Sequence, residues 1–244
     1  MSTLLAFDTA TEQMSIALAA HGRVWAVEAP GGATASATLI PAILGLLAGA
    51  ELALRDLDAI AFGRGPGAFT GLRTACSVAQ GLAFGAGKPV LPIDTLLAVA
   101  EDARAGADKI TLWVAMDARM NEIYAAEYRF GAGRWQVVQA PMLVSPEALN
   151  RRWQDAPPQC VAGSALAAFG AQLQAPGAVL LPDAGPRAAA LLPLAQAAWA
   201  AGAGLDAALA LPLYLRDKVA LTTVERDAVR ALKVAATAVA GIAP

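Results

Sequence analysis

One pattern is written twice in this sequence, about a hundred residues apart. LLAFD (4–8) is a short apolar run ending in an acid, and TLWVAMD (111–117) is another. Each is followed by two segments with strand-like alternation: MSIALAA (14–20) and RVWAVEA (23–29), then EIYAAEYRF (122–130) and RWQVVQA (134–140). Both pairs end in Ala-Pro, at Ala29-Pro30 and Ala140-Pro141. Superposing Asp8 on Asp117 lays residues 9–13 over 118–122, the same hairpin position. A period this long is too great for a solenoid and predicts a duplicated domain. His21-Gly22 is a hairpin signal inside the first meander.

Strands and helices then alternate. The first half predicts a helix within 36–50 (Pro41 in its first turns or kinking it), a strand at 57–62, a helix at 70–84, a strand at 88–93 and a helix at 95–105. The second half predicts helices near 146–154, 164–173 and 186–201, with strands at 159–163 and 178–183. That order implies parallel crossovers after each antiparallel meander. The expected class is α/β: two duplicated lobes, each a mixed sheet with flanking helices. From Tyr214 the composition turns charged, and Thr223 can cap a solvated helix over 224–237 carrying Arg226, Val229, Arg230 and Lys233.

At 244 residues and 57% hydrophobic, the chain can bury a large core. A net charge of −2 gives no global electrostatic case for gripping nucleic acid. Two cysteines, Cys76 and Cys160, make no disulfide framework and fit a reducing compartment. The start, MSTLLAFDTA, meets Asp8 too early for a signal-peptide apolar region. Residues 29–50 carry no charge, yet their apolar part, 39–48, is about half of the ~20 residues a bilayer requires. A cytoplasmic protein with an unusually apolar surface helix is expected.

The inventory of reactive groups is thin. The single histidine, His21, falls at a hairpin tip, so neither a zinc site nor a Ser-His-Asp constellation can be assembled. Asp8 and Asp117 each stand where a strand leaves the sheet. Facing each other across an interlobe cleft they can hold Mg²⁺ on a nucleotide; alternatively each caps its own turn. Both readings stand for Asp8. For Asp117 the turn-capping one is preferred, with Arg119 as ion-pair partner.

GRGPGAFTGLRTACSVAQGLAFG (63–85) opens with a Gly65-Pro66-Gly67 turn, with Thr70 placed to cap the helix behind it. No Gly-Lys-Ser/Thr follows, so it is no P-loop. Gly71, Ala75, Ala79 and Ala83 recur every four residues, a small-residue ridge that a second helix backbone can approach. Leu72, Val78 and Leu82 then face the home sheet. Gly81 costs about 1 kcal/mol against alanine, tolerable where another helix needs the room. A packing surface is preferred over a phosphate cradle.

FDTATEQMSIAL, GRGPGAFTGLRTACSVAQGLAFG, PIDTLLAVAE, VAMDARMNEIYAAEY and YLR together resemble the TsaB (YeaZ) family of bacterial tRNA threonylcarbamoyladenosine biosynthesis proteins, from residue 3 to about 218. The resemblance implies the actin/Hsp70/sugar-kinase (ribonuclease H-like) fold, with lobes at 1–106 and 107–213 and a C-terminal segment, 214–244, partly packed on the first lobe. It implies no catalytic residue. The family is the non-catalytic paralogue of TsaD, the subunit that transfers threonylcarbamoyl to adenosine 37 of tRNAs reading ANN codons, and works with the ATPase TsaE. ATP and metal are expected on those partners, with no cofactor and no metal here, and tRNA is met only through the complex. Pairing with TsaD, or with a second copy in its absence, is implied through the helices at 36–50 and 70–84. The corresponding positions are Leu39, Ile43, Leu46 and Leu47, then Ala68, Phe69, Gly71, Arg73, Ala75, Ala79, Gly81, Leu82 and Ala83. Asp8, Thr9, Thr11 and Asp117 mark a vestigial nucleotide or Mg²⁺ contact. Two departures matter: Ala35 stands where relatives keep a lone histidine, and Ala10 where nucleotide-binding relatives have glycine. The rival readings are a nucleotide-dependent kinase or glycoprotease-like hydrolase built around Asp8, or direct tRNA binding through Arg226, Arg230 and Lys233.

Overall fold

The computed structural model describes residues 2–216; the helix expected over 224–237 lies outside them. Among the described residues ten strands form two sheets of five with the same topology. β1 (Leu4–Asp8), β2 (Gln13–Ala20) and β3 (Arg23–Pro30) make an antiparallel meander, and β4 (Ala59–Gly65) and β5 (Val90–Asp94) add in parallel on the other side of β1. The order is β3-β2-β1-β4-β5. In the second sheet β6 (Ile110–Asp117), β7 (Ile123–Gly131) and β8 (Arg134–Val144) repeat the meander, and β9 (Cys160–Ala162) and β10 (Val179–Leu181) repeat the parallel additions. The sequence duplication is thus a structural one. His21 and Gly22 both take positive φ (51° and 75°), the geometry that a tight hairpin between right-twisted strands requires.

α1 (Ala35–Gly49) and α2 (Phe69–Ala86) cover the outer face of the first sheet. α4 (Pro146–Asp155) and the short α5 (Ala165–Phe169) cover the outer face of the second. Between the sheets lie α3 (Thr95–Arg104) and α6 (Ala188–Ala200). Their packing is crossed. Leu96, Val99 and Ala100 of α3 bury against Leu112, Val114 and Tyr128 of the second sheet. Leu191, Leu192 and Ala195 of α6 bury against Leu4, Ala6, Ala17 and Ala61 of the first. The alanines on that inner face let α6 lie close. A division of the chain near residue 106 therefore separates the sheets but not the helices that cover them.

Strand alternation carries this layering. Leu5 and Phe7 point toward α1 and α2, while Leu4 and Ala6 point toward α6. The inner layer is pinned at polar points as well. Arg187 bonds Asp102 of α3 and lies 3.4 Å from Glu28 of β3, and the Ala188 N–H donates to the Ser15 hydroxyl (2.8 Å). Glu101 of α3, 8% exposed, is gripped by Arg104 and accepts from Trp135 Nε1 at 2.8 Å. No helix among the described residues is long and apolar enough to cross a membrane.

Candidate functional site

α1 and α2 both start at the sheet end where β3 and β4 finish, so they run side by side. In α1, Ala35, Leu39, Ile43 and Leu47 recur every four residues and are buried on the sheet. In α2 the buried residues are Gly71, Leu72, Ala75, Cys76, Ala79 and Ala83. The small-residue ridge therefore faces the home sheet rather than outward. A Cβ on Gly71 would overlap the Thr9 carbonyl oxygen, so α2 approaches the β1–β2 turn as closely as backbone allows. That contact is fastened by the Thr9 hydroxyl donating to the Gly71 carbonyl at 2.8 Å. A small-residue row suits packing on a sheet as well as on a helix, and spacing alone does not say which.

Of the expected interface positions, Leu39, Ile43, Leu47, Gly71, Ala75, Ala79 and Ala83 belong to this chain's own core. Leu46, Leu82 and Phe69 are half-buried, and Ala68, Arg73 and Gly81 are exposed. Sequence reasoning missed Ile40 and Leu44, 40% and 47% exposed, and Phe84, 86% exposed. Their signal was present: Ile40, Leu44 and Ala48 are spaced by four, and Ser77, Gly81 and Phe84 run in phase along α2. Pro41 lies inside α1 and is exposed. Thr70 is not the cap of α2. Ala68 occupies the cap position without a side-chain hydrogen bond, and Thr70 lies in the first turn. The outward face is apolar or small throughout, with Arg73 its one charge.

The second candidate is the cleft between the lobes, a cavity of about 770 Å³. The β1–β2 turn, the start of α2, the β6–β7 hairpin, residues 182–187 and the segment 213–216 enclose it. Thr11 and Asp117 line it; Asp8 and Thr9, 1% and 0% exposed, lie behind it. Asp8 Oδ1 accepts from the Ala10 N–H (2.7 Å), and Oδ2 accepts from the Thr95 hydroxyl (2.8 Å). Thr95 Oγ1 in turn accepts from the Gly65 N–H at 3.1 Å. Asp8 thus ties together the ends of β1 and β4 and the start of α3. Burial pushes its carboxyl up to about 6, against the opposing pull of these hydrogen bonds.

Asp117 caps its own hairpin: Oδ1 accepts from the Arg119 N–H (2.8 Å), and Oδ2 lies 3.3 Å from the Arg119 guanidinium. Arg119 also reaches across the cleft to Glu12 at 2.7 Å, an exposed pair that contributes little to stability. Arg216 holds the same hairpin through Glu122 (2.5 Å) and the carbonyls of Ala118 (3.0 Å) and Arg119 (3.3 Å). That hairpin carries three consecutive residues at positive φ, Arg119, Met120 and Asn121, which explains the need for such anchoring.

These residues do not fit a Mg²⁺–nucleotide. Asp8 is turned into the protein, and the cleft arginines Arg119, Arg187 and Arg216 are each matched to a carboxylate. The Ala10 methyl packs where a Cβ on Gly67 would collide with it, filling the turn a phosphate would approach. Among the described residues no three His, Cys, Asp or Glu side chains are grouped to hold a metal.

Residues 32–223 match the family model described as "TsaD: tRNA N6-adenosine threonylcarbamoyltransferase". The chain is 36% identical over 226 residues to the tRNA threonylcarbamoyladenosine biosynthesis protein TsaB of Haemophilus influenzae, covering 89% of this chain and 94% of that protein. To TsaB of Escherichia coli it is 35% identical over 227 residues, covering 89% and 96%. Among solved structures, YeaZ from Pseudomonas aeruginosa superposes with a TM-score of 0.80 at 39% identity, covering 88% of this chain and all of that one.

Proposed function

The chain belongs to the TsaB family of tRNA threonylcarbamoyladenosine biosynthesis proteins, on the fold it shares with the TsaD transferases, and we propose that it serves threonylcarbamoyladenosine formation as a subunit with no chemistry of its own. It pairs with TsaD through the outward face of α1 and α2, supports TsaE, and meets tRNA only in their company, in the cytoplasm. ATP and metal belong to those partners. A second copy takes the same face when TsaD is absent.

The observation that carries this reading is the outward face itself. Ile40, Leu44 and Phe84 stand exposed on two helices without an acid, a patch that a lone soluble protein seldom leaves open. The cleft supports the same view, because its arginines, Arg119, Arg187 and Arg216, are already matched to carboxylates of this chain. The kinase or hydrolase alternative needs an open Asp8 and lacks it.

The test is reconstitution on unmodified tRNA with the TsaD- and TsaE-family proteins of the same organism. Modified adenosine should form only when this chain is included, and the chain alone should neither modify tRNA nor turn over ATP. Micromolar Mg²⁺–ATP binding with turnover by the isolated chain would overturn the assignment.

A further inference from the structure

Arg73 is the one charged side chain on α1 and α2, and its setting is built rather than incidental. Its guanidinium lies over the Phe69 ring, 3.9 Å from the centroid. Its Nε donates to the Tyr214 hydroxyl at 3.3 Å, and the Phe69 and Tyr214 rings pack with centroids 5.4 Å apart. Tyr214 is held in turn by its neighbour, since the Leu213 N–H donates to the Arg64 carbonyl at 2.7 Å. Nε is therefore occupied, while the two terminal nitrogens make no hydrogen bond or ion pair among the described residues. An arginine held over an aromatic ring and bonded through Nε has lost part of its rotamer freedom, and its open edge is a fork shaped for a carboxylate.

We propose that Arg73 is a specificity-determining residue: it reads an Asp or Glu on the protein that seats on the α1/α2 face. This rests on the pairing proposed above and names the chemistry the partner must bring. An apolar surface lowered onto Arg73 without an anion would strip water from an unpaired charge, whereas a carboxylate there converts the same burial into a bidentate contact. The residue also separates a different protein from a second copy of this chain. α1 and α2 offer no acid to a copy of themselves. The nearest along the chain, Glu51, follows the end of α1, at the opposite end of the face from Arg73. The partner is thus an apolar helix surface with one carboxylate opposite the first turns of α2, and a second copy seated with its α1 and α2 parallel to these leaves two guanidinium groups unmatched.

The experiment is a titration of the TsaD-family protein of the same organism, with self-association measured in parallel by sedimentation. The wild type is compared with Arg73→Met, Arg73→Lys and Gly81→Arg at low and high salt. Arg73→Met should weaken hetero-pairing about tenfold or more and flatten its salt dependence, Arg73→Lys should recover part of the loss, and self-association should stay unchanged or tighten. A loss below about threefold in hetero-pairing, while Gly81→Arg abolishes it, overturns the role of Arg73 and leaves the pairing reading standing. Equal weakening of self-association by Arg73→Met overturns it too, because a second copy would then supply the carboxylate. Full pairing by Gly81→Arg instead refutes the seat itself.

Discussion

Asp8 offers the sharpest test of whether the first acid of the duplicated pattern is structural. Its carboxyl is buried, engaged by the Ala10 N–H and the Thr95 hydroxyl, and raised from 3.8 to about 6. A carboxyl raised in the folded state favours folding most when protonated. Its contribution is therefore fully present below about pH 3.8 and is lost as the pH rises through about 6. At 1.36 kcal/mol per pH unit, the complete loss is about 3 kcal/mol, of which about 2 kcal/mol falls between pH 4.5 and 7.5. Asp8→Asn keeps the shape and removes the titration. The free energy of urea unfolding, measured for both proteins across that range, should show wild type losing about 2 kcal/mol relative to Asp8→Asn as the pH rises. The difference cancels other titrating groups common to both proteins, such as Glu127, whose carboxyl burial also raises. A gap that stays constant with pH would refute a buried, desolvated Asp8. A gap that moves the other way would mean that the carboxylate is stabilised by a cation in the folded state, as the Mg²⁺ reading requires.

The face assignment of α2 predicts opposite outcomes two residues apart. Ala79→Arg drives a guanidinium into the core and should cost more than about 4 kcal/mol, while Gly81→Arg, with open space around it, should leave the monomer as stable or up to about 1 kcal/mol more so; thermal unfolding of both checks this. Gly71→Ala adds one methyl against the Thr9 carbonyl and should destabilise by about 3 kcal/mol, with faster amide exchange at the start of α2. Glu101→Leu strands the Trp135 N–H and the Arg104 guanidinium between the sheets and should cost about 3 kcal/mol by chemical denaturation.

The elements themselves were legible because their signals are local. Alternation marked both meanders, and His21-Gly22 marked the first hairpin. The repeated acid-ended strand marked the duplication, and the two sheets follow it strand for strand. Asp117 and Arg119 pair as their spacing suggested, since a turn-capping acid needs only its own loop. The thin inventory of histidine and cysteine also set limits that need no coordinates.

What remained open concerned direction and burial, which depend on the far side of each contact. Gly71, Ala75, Ala79 and Ala83 make the same ridge whether a sheet or a foreign helix lies beneath. Only the closeness of Thr9 shows that the sheet owns it and that Ile40, Leu44 and Phe84 look outward. Asp8 reads identically as a ligand or a strut until Thr95, 87 residues away in sequence, is found donating to it. α3 and α6 each bury an apolar face, and nothing in their periodicity says that each crosses to the other lobe's sheet. Sequence by itself determined the repeated strand order and the short supply of histidine and cysteine, because period and residue type are properties of a single segment. Tertiary structure alone decided which faces are core, which are free, and which charges are already matched, because burial and pairing belong to two segments at once.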